Sequence, residues 1–198
     1  ETYQENRQYE KALAASAEAL QQNPENREVA ISRASLLATT GDVAGAVSLL
    51  KPLLRNNSED REIWLALSQV HLRAKQFDQA LQAVAEAEAM SETEDEKAYI
   101  YFLYGSIWER QKRFDKAEEE FRKALQFNPE SAMTMNYLGY MFADQGVRLD
   151  EAVQLIERAL EMEPTSGAYL DSLGWAYYRQ NRLDLAEKYL RKAVGRLP

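Results

Sequence analysis

The chain has 198 residues, a formal net charge of −8, 45% hydrophobic and 28% charged residues, eight Gly, five Pro and no Cys. That mixture is of an ordered, soluble, helical protein, and the missing cysteine removes disulfides, thiolate nucleophiles and Cys-rich zinc sites together. An acidic chain lacks the basic stripe that phosphate backbones and anionic lipids require, and no apolar run approaches the ~18 residues of a membrane span, so neither nucleic acid nor direct membrane insertion is expected.

Taken in chain order, the predicted elements repeat. Residues 1–26 read as a partial unit: Glu1 falls inside a first helix, Ala12 and Ala19 mark the second, and Pro24 stops it. Residues 27–60 place Ala34 on a first helix and Ala46 and Leu53 on a second; residues 61–97 repeat this with Ser68, Ala80 and Ala87. Residues 98–131 carry Gly105, Ala117, Ala124 and Pro129; residues 132–166 carry Gly139, Ala152, Ala159 and Pro164; residues 167–198 carry Gly174, Ala186, Ala193 and Pro198.

The positions Ala12, Ala46, Ala80, Ala117, Ala152 and Ala186 differ by 34, 34, 37, 35 and 34. The series Ala34, Ser68, Gly105, Gly139 and Gly174 differs by 34, 37, 34 and 35. Together they locate three extra residues near Ser91 to Lys97 and one near Gln145 to Arg148, both read as connections, where insertions cost little. Ser91 and Thr93 each stand three residues before a Glu, Glu94 and Glu96, which fits a capping box at a helix start. Small residues on both helices of a unit let the two backbones approach closely. A chain that starts inside one unit and stops at the end of another reads as part of a longer protein, although Glu187 and Arg196 make the last unit more polar than the one before it.

The period and these residues resemble the tetratricopeptide repeat family, whose pattern is W-x2-L-G-x2-Y, then A-x3-F, then P. One unit reads Tyr101, Tyr104, Gly105, Trp108, Ala117, Phe121 and Pro129; the last reads Leu170, Leu173, Gly174, Tyr177, Ala186, Leu190 and Pro198. The repeat at residues 27–60 is the poorest match, with Arg33 where Leu is usual. The resemblance implies an all-α solenoid of antiparallel helix pairs in a right-handed superhelix, whose first helices line a concave groove that takes a protein or peptide segment.

Carried onto this sequence, the groove-facing places of the last three units hold Tyr99, Phe102, Leu103, Met133, Asn136, Tyr137, Tyr140, Asp144, Asp171, Trp175, Tyr178 and Arg179. Phe102 and Tyr178 stand where an aromatic often packs adjacent first helices. Leu103, Tyr137, Tyr140 and Trp175 stand where the idealised repeat prefers Asn, and Tyr140 and Trp175 are expected to be neighbours. The equivalent places of the earlier units hold residues such as Ile31, Ser35, Leu65 and Leu72, with no aromatic. The Lys and Asn set that clamps a terminal carboxylate in chaperone-binding members of the family is not met.

Asn136 to Tyr140, Ala143-Asp144, Arg148 to Ala152 and Leu170 to Trp175 resemble terminal repeats of bacterial cell-envelope members of the family, including lipoproteins. That resemblance implies the periplasmic side of the envelope rather than the cytoplasm, and a polar network of Asn136, Asp144, Arg148 and Asp171. His71, the only histidine, is expected to pack in the core. The acidic runs do not match an EF-hand, and no Gly-rich phosphate loop occurs, so no catalytic residue, metal or cofactor is assigned. The expected function is a non-enzymatic binding scaffold. The alternatives are a docking part of a larger enzyme and a solenoid that self-associates through uncapped ends.

Overall fold

The computed structural model describes residues 3–195, with side chains from Gln8 onward; the expectations placed on Glu1, Arg196 and Pro198 lie outside the described residues. Eleven α-helices follow one another among those residues: α1 Tyr3–Gln22, α2 Arg27–Thr39, α3 Val43–Leu50, α4 Arg61–Arg73, α5 Phe77–Glu88, α6 Glu94–Arg110, α7 Phe114–Phe127, α8 Ala132–Gln145, α9 Leu149–Met162, α10 Gly167–Arg179 and α11 Leu183–Val194. They fall into two compact units, Glu1–Thr93 and Glu94–Pro198, divided at the three-residue insertion.

Local chemistry sets the helix ends. Asn26, Asp42, Ser131 and Ser166 each accept a hydrogen bond from the main-chain N–H three residues on, satisfying a donor the helix leaves free. At the other end of each first helix the same closure recurs. Asp42 donates to the Leu37 carbonyl, Gln76 to His71, Arg113 to Trp108, Val147 to Phe142 and Arg182 to Tyr177. Each such six-to-one bond spans a left-handed residue, in turn Gly41, Lys75, Lys112, Gly146 and Asn181. These five differ by 34, 37, 34 and 35, so the turn obeys the same register as the helices.

Both insertions differ from expectation in where they are absorbed. The three residues do not loop out: they lengthen α6 to 17 residues against 13 in α4, close to one added turn. The Ser91 hydroxyl donates back to the Ala87 carbonyl and accepts from Arg61, so Ser91 closes α5 and Thr93 takes the place before α6. The single extra residue gives the α8–α9 turn a second left-handed residue, Arg148 at φ 46°. The second helix of residues 27–60 also ends early. Pro52 lacks an N–H, so α3 stops at Leu50 and Leu53 closes a 3-10 turn, Lys51–Leu53, instead of continuing a helix.

Within each pair the two backbones meet at small residues. A Cβ on Gly105 would lie 2.6 Å from the Phe121 ring, one on Gly174 2.7 Å from Leu190, and one on Gly139 2.7 Å from Ile156 and 2.9 Å from the Ala152 carbonyl oxygen. Ala117, Ala152 and Ala186 face them, all buried. In the second unit Phe121, Phe142, Ile107, Leu138, Ile156 and Leu173 fill the remaining core; each such side chain contributes roughly 1.5–3 kcal/mol by leaving water. In the first unit the core is smaller-grained, built of Ala30, Ala34, Ala46, Leu50, Ile63, Leu67 and Val70.

Polar staples supplement this packing. Arg33, where the family pattern has Leu, donates to the Leu13 carbonyl and to Ser16, tying α2 to α1. Asp60 is buried and collects the N–H groups of Arg55 and Asn56 together with the Arg27 guanidinium at 2.8 Å. Burial alone would raise its carboxyl; the hydrogen bonds from Arg55, Asn56, Arg27 and Asn57 outweigh it and hold the group below its ordinary 3.8. In the second unit the Tyr177 hydroxyl donates to Glu157 at 2.7 Å, and burial followed by that bond pushes the phenol up to about 12.

Two outcomes follow. Gly139→Ala should lower unfolding stability by about 1–3 kcal/mol in a urea titration, because the Ala152 carbonyl cannot step aside as a side chain can. Asp60→Asn should cost about 3 kcal/mol at neutral pH by removing the buried carboxylate on which Arg27 and the main-chain N–H groups of Arg55 and Asn56 converge. Because the folded carboxyl is depressed, its contribution is complete above 3.8 and fades as pH falls through the lower folded value, so wild type and variant should converge in acid.

Candidate functional site

In the second unit the first helices α6, α8 and α10 carry large aromatics that the core does not consume. Tyr137 is 46% exposed, Tyr140 41% and Tyr178 52%, with Tyr99 exposed to a similar extent. Helical spacing explains the alignment on α8: Met133, Tyr137 and Tyr140 share one stripe, and Asn136, Tyr140 and Asp144 share the neighbouring one. Ring contacts hold the aromatics in place. Tyr99 stacks on Phe102 at 6.2 Å, the Tyr137 ring meets Phe102 edge-on at 4.9 Å, and Trp175 stacks on Tyr178 at 5.4 Å.

Burial divides the twelve expected groove residues. Tyr99, Tyr137, Tyr140, Asp144, Asp171 and Tyr178 are exposed; Met133, Trp175 and Arg179 are half-buried. Phe102, Leu103 and Asn136 are buried: Phe102 packs against Phe121 and against Tyr137 of the adjacent first helix, in keeping with a packing aromatic at that place, while Leu103 is a core side chain and Asn136 is covered, which corrects the reading of these two as open groove surface. Trp175 stacks on Tyr178, three residues on along the same helix. Arg179 donates to the Asp144 carbonyl at the end of α8 and lies 5.6 Å from the Trp175 ring, so it fastens α8 to α10.

The expected network of Asn136, Asp144, Arg148 and Asp171 does not form around Arg148. That guanidinium pairs with both carboxylate oxygens of Glu118 on α7 and stacks 4.0 Å from the Phe142 ring. His71 is hydrogen-bonded but less enclosed than a core position: it is half-buried, and its Nδ1 meets Gln76 Oε1 at 2.7 Å within the α4–α5 turn.

Charge gathers around Tyr140. Its hydroxyl is raised by burial and then by the negative charges of Asp144, Asp171 and Glu109. Glu109, half-buried at the end of α6, is itself raised by burial and by Asp144, with Arg110 opposing. Two polar atoms nearby are buried without a hydrogen-bond partner, Asn136 Oδ1 and Trp175 Nε1. A cleft of about 330 Å³ opens between α6 and α8 and is lined by Tyr99, Phe102, Met133 and Thr134, with Asp95 and Asn128 bonded to each other on its rim. Sequence reasoning missed that rim, because Asp95 lies on the inserted turn and Asn128 at the end of a second helix. Among the described residues no group of three or more His, Asp or Glu is placed to hold a metal, and no helix is long and apolar enough to cross a membrane.

Two family models, each described as tetratricopeptide repeat, match residues 65–132 and 145–198 and residues 3–70 and 37–91. The chain belongs to the tetratricopeptide repeat family. The TPR repeat-containing protein PA4667 of Pseudomonas aeruginosa is 38% identical over 143 residues, which is 64% of this chain and 24% of that protein. The human protein O-mannosyl-transferase TMTC1 is 29% identical over 133 residues, 66% of this chain and 15% of that protein. The chain thus spans a quarter or less of the length of these relatives. Among solved structures, YrrB, described as a TPR protein with an unusual peptide-binding site, superposes with a TM-score of 0.57 at 19% identity, covering 93% of each chain. At that identity the likeness is one of fold.

For this TPR chain the division by burial predicts a division in mutational cost. Leu103→Ala should lose about 2–5 kcal/mol of unfolding stability, whereas Tyr140→Ala should lose less than about 1 kcal/mol, both read from urea denaturation followed by circular dichroism.

Proposed function

We propose that the chain is a non-enzymatic recognition scaffold, and that the first-helix face of its second unit is the groove in which a protein or peptide segment lies. The observation that carries this reading is the set of exposed rings at Tyr99, Tyr137, Tyr140 and Tyr178, distributed over three successive first helices. Folding leaves these side chains partly in water although each offers a large apolar surface, and Tyr and Trp anchors of this kind dominate binding hot spots. The equivalent face of the first unit supports a lesser role: its small cleft, near 150 Å³, is lined by Ile31, Ser35, Ala66, Gln69 and Arg73.

Family membership supports protein recognition in general, and the peptide-binding site named for YrrB is a precedent on the same fold. Phe102 and Leu103 then act beneath the surface, with Phe102 fixing the rings above it. The rings lose little additional entropy on binding, because the edge-on contact with Phe102 already restricts Tyr137 and stacking on Trp175 restricts Tyr178.

Calorimetry with a partner segment should show Tyr140→Ala and Trp175→Ala each weakening affinity by about 2 kcal/mol, roughly thirtyfold. Equal affinity for wild type and both variants, with helicity intact, would remove the groove from the account.

A further inference from the structure

The groove reading leaves the character of its occupant open, and the chemistry around Tyr140 narrows it. Three first helices deliver one carboxylate each to this place: Glu109 closes α6, Asp144 lies one turn beyond Tyr140 on α8, and Asp171 lies one turn before Trp175 on α10. Every charge that acts on the Tyr140 hydroxyl is negative. Of the two arginines at hand, Arg179 caps α8 through the Asp144 main-chain carbonyl and lies over Trp175, and Arg110 acts on Glu109, opposing the rise of its carboxyl. An exposed aromatic ring bordered by carboxylates is a surface that favours a cation, through the ring face and through the acids together.

A second observation, independent of charge, also points to a ligand. Asn136 is 7% exposed, and its side-chain oxygen has no donor. It lies one helical turn before Tyr140 on the same stripe of α8. Trp175 is half-buried, and its Nε1, itself covered, has no acceptor. A buried polar atom left unpaired costs about 1–3 kcal/mol, and the two orphans are of opposite kind. One acceptor and one donor are what a main-chain peptide group, with its N–H and C=O, would satisfy.

We infer that this face takes an extended segment bearing Lys or Arg, whose cationic head sits among Glu109, Asp144 and Asp171 against the Tyr140 ring while Asn136 and Trp175 hold its main chain. This rests on the groove reading above and specifies its partner: a basic segment, not an acidic or a purely apolar one. The acidic rim steers such a segment into place, and the orphaned pair fixes its register.

The test is selection of phage-displayed random peptides of about 12 residues on the full chain, followed by fluorescence anisotropy of the enriched peptides. Each is measured on wild type, on the Tyr140→Ala/Trp175→Ala double variant and on a charge-neutral Glu109→Gln/Asp144→Asn/Asp171→Asn triple variant, all checked for wild-type helicity. The expected peptides carry Lys or Arg and lose at least about tenfold in affinity on the neutral variant and a comparable factor when salt rises from about 50 to about 500 mM. Changing the peptide's basic residue to Gln should cost the same factor on wild type and nothing further on the neutral variant. Peptides that need Tyr140 and Trp175 yet bind the neutral variant within about twofold would overturn the basic-segment inference and leave the groove standing. Failure to enrich any peptide, or enrichment of peptides indifferent to the double alanine variant, would overturn both.

Discussion

Close approach of two helix backbones is the constraint on which the second unit depends. At Gly105, Gly139 and Gly174 the facing helix stands so near that a single methyl would meet Phe121, Ile156 or Leu190 at under 3 Å. Gly139 faces the Ala152 main chain itself and Gly174 that of Leu190, while Gly105 seats the Phe121 ring, so each pair is fixed by a side chain or main chain lodged where no Cβ stands, and the larger side chains interlock around that contact. The left-handed residue that ends each first helix does complementary work, since its six-to-one hydrogen bond brings the second helix back at a constant offset. Helix starts are secured by Asn26, Asp42, Ser131 and Ser166, so little of the pairing depends on the loops.

This arrangement frees one face. The core of each pair is filled from its interior, which leaves the outward stripe of the first helix without a structural duty. On α2 and α4 that stripe carries small and aliphatic residues, while on α6, α8 and α10 it carries Tyr99, Tyr137, Tyr140, Trp175 and Tyr178. The second unit adds carboxylates at Glu109, Asp144 and Asp171 and leaves Asn136 and Trp175 each with an unpaired polar atom. A binding face of this composition is assembled from several repeats, so its specificity is written in side chains that can change without disturbing the packing that orders them.

Much of the fold was legible because the packing constraint writes itself into the sequence at a fixed interval. Gly105, Gly139 and Gly174 recur where only a small residue fits, and the intervals between them place both insertions. What happens at those insertions was not legible: three residues equal nearly one helical turn, so a segment read as a connection could extend α6 instead. Pro52 signals the early end of α3 by its missing N–H, whereas the family register alone carries Leu53 onto a helix. The candidate face was legible by position and less so by exposure. Leu103 and Asn136 occupy places that the family pattern points outward, yet Leu103 is a core residue and Asn136 is covered, since repeat position gives direction but not the size of the neighbours. Arg148 pairs with Glu118, thirty residues earlier on α7, and not with the nearby Asn136, Asp144 and Asp171 that the family resemblance grouped with it, a partner that residue order does not mark.

The most direct test of the central claim, that recognition takes place on the first-helix face of the second unit, is site-specific photo-crosslinking with a benzoyl-phenylalanine placed in turn at Tyr140 and Tyr178, and at Gln154 on the second helix α9. The account predicts that a bound protein segment is captured from positions 140 and 178 and not from position 154. Capture from position 154 with none from the other two would contradict it.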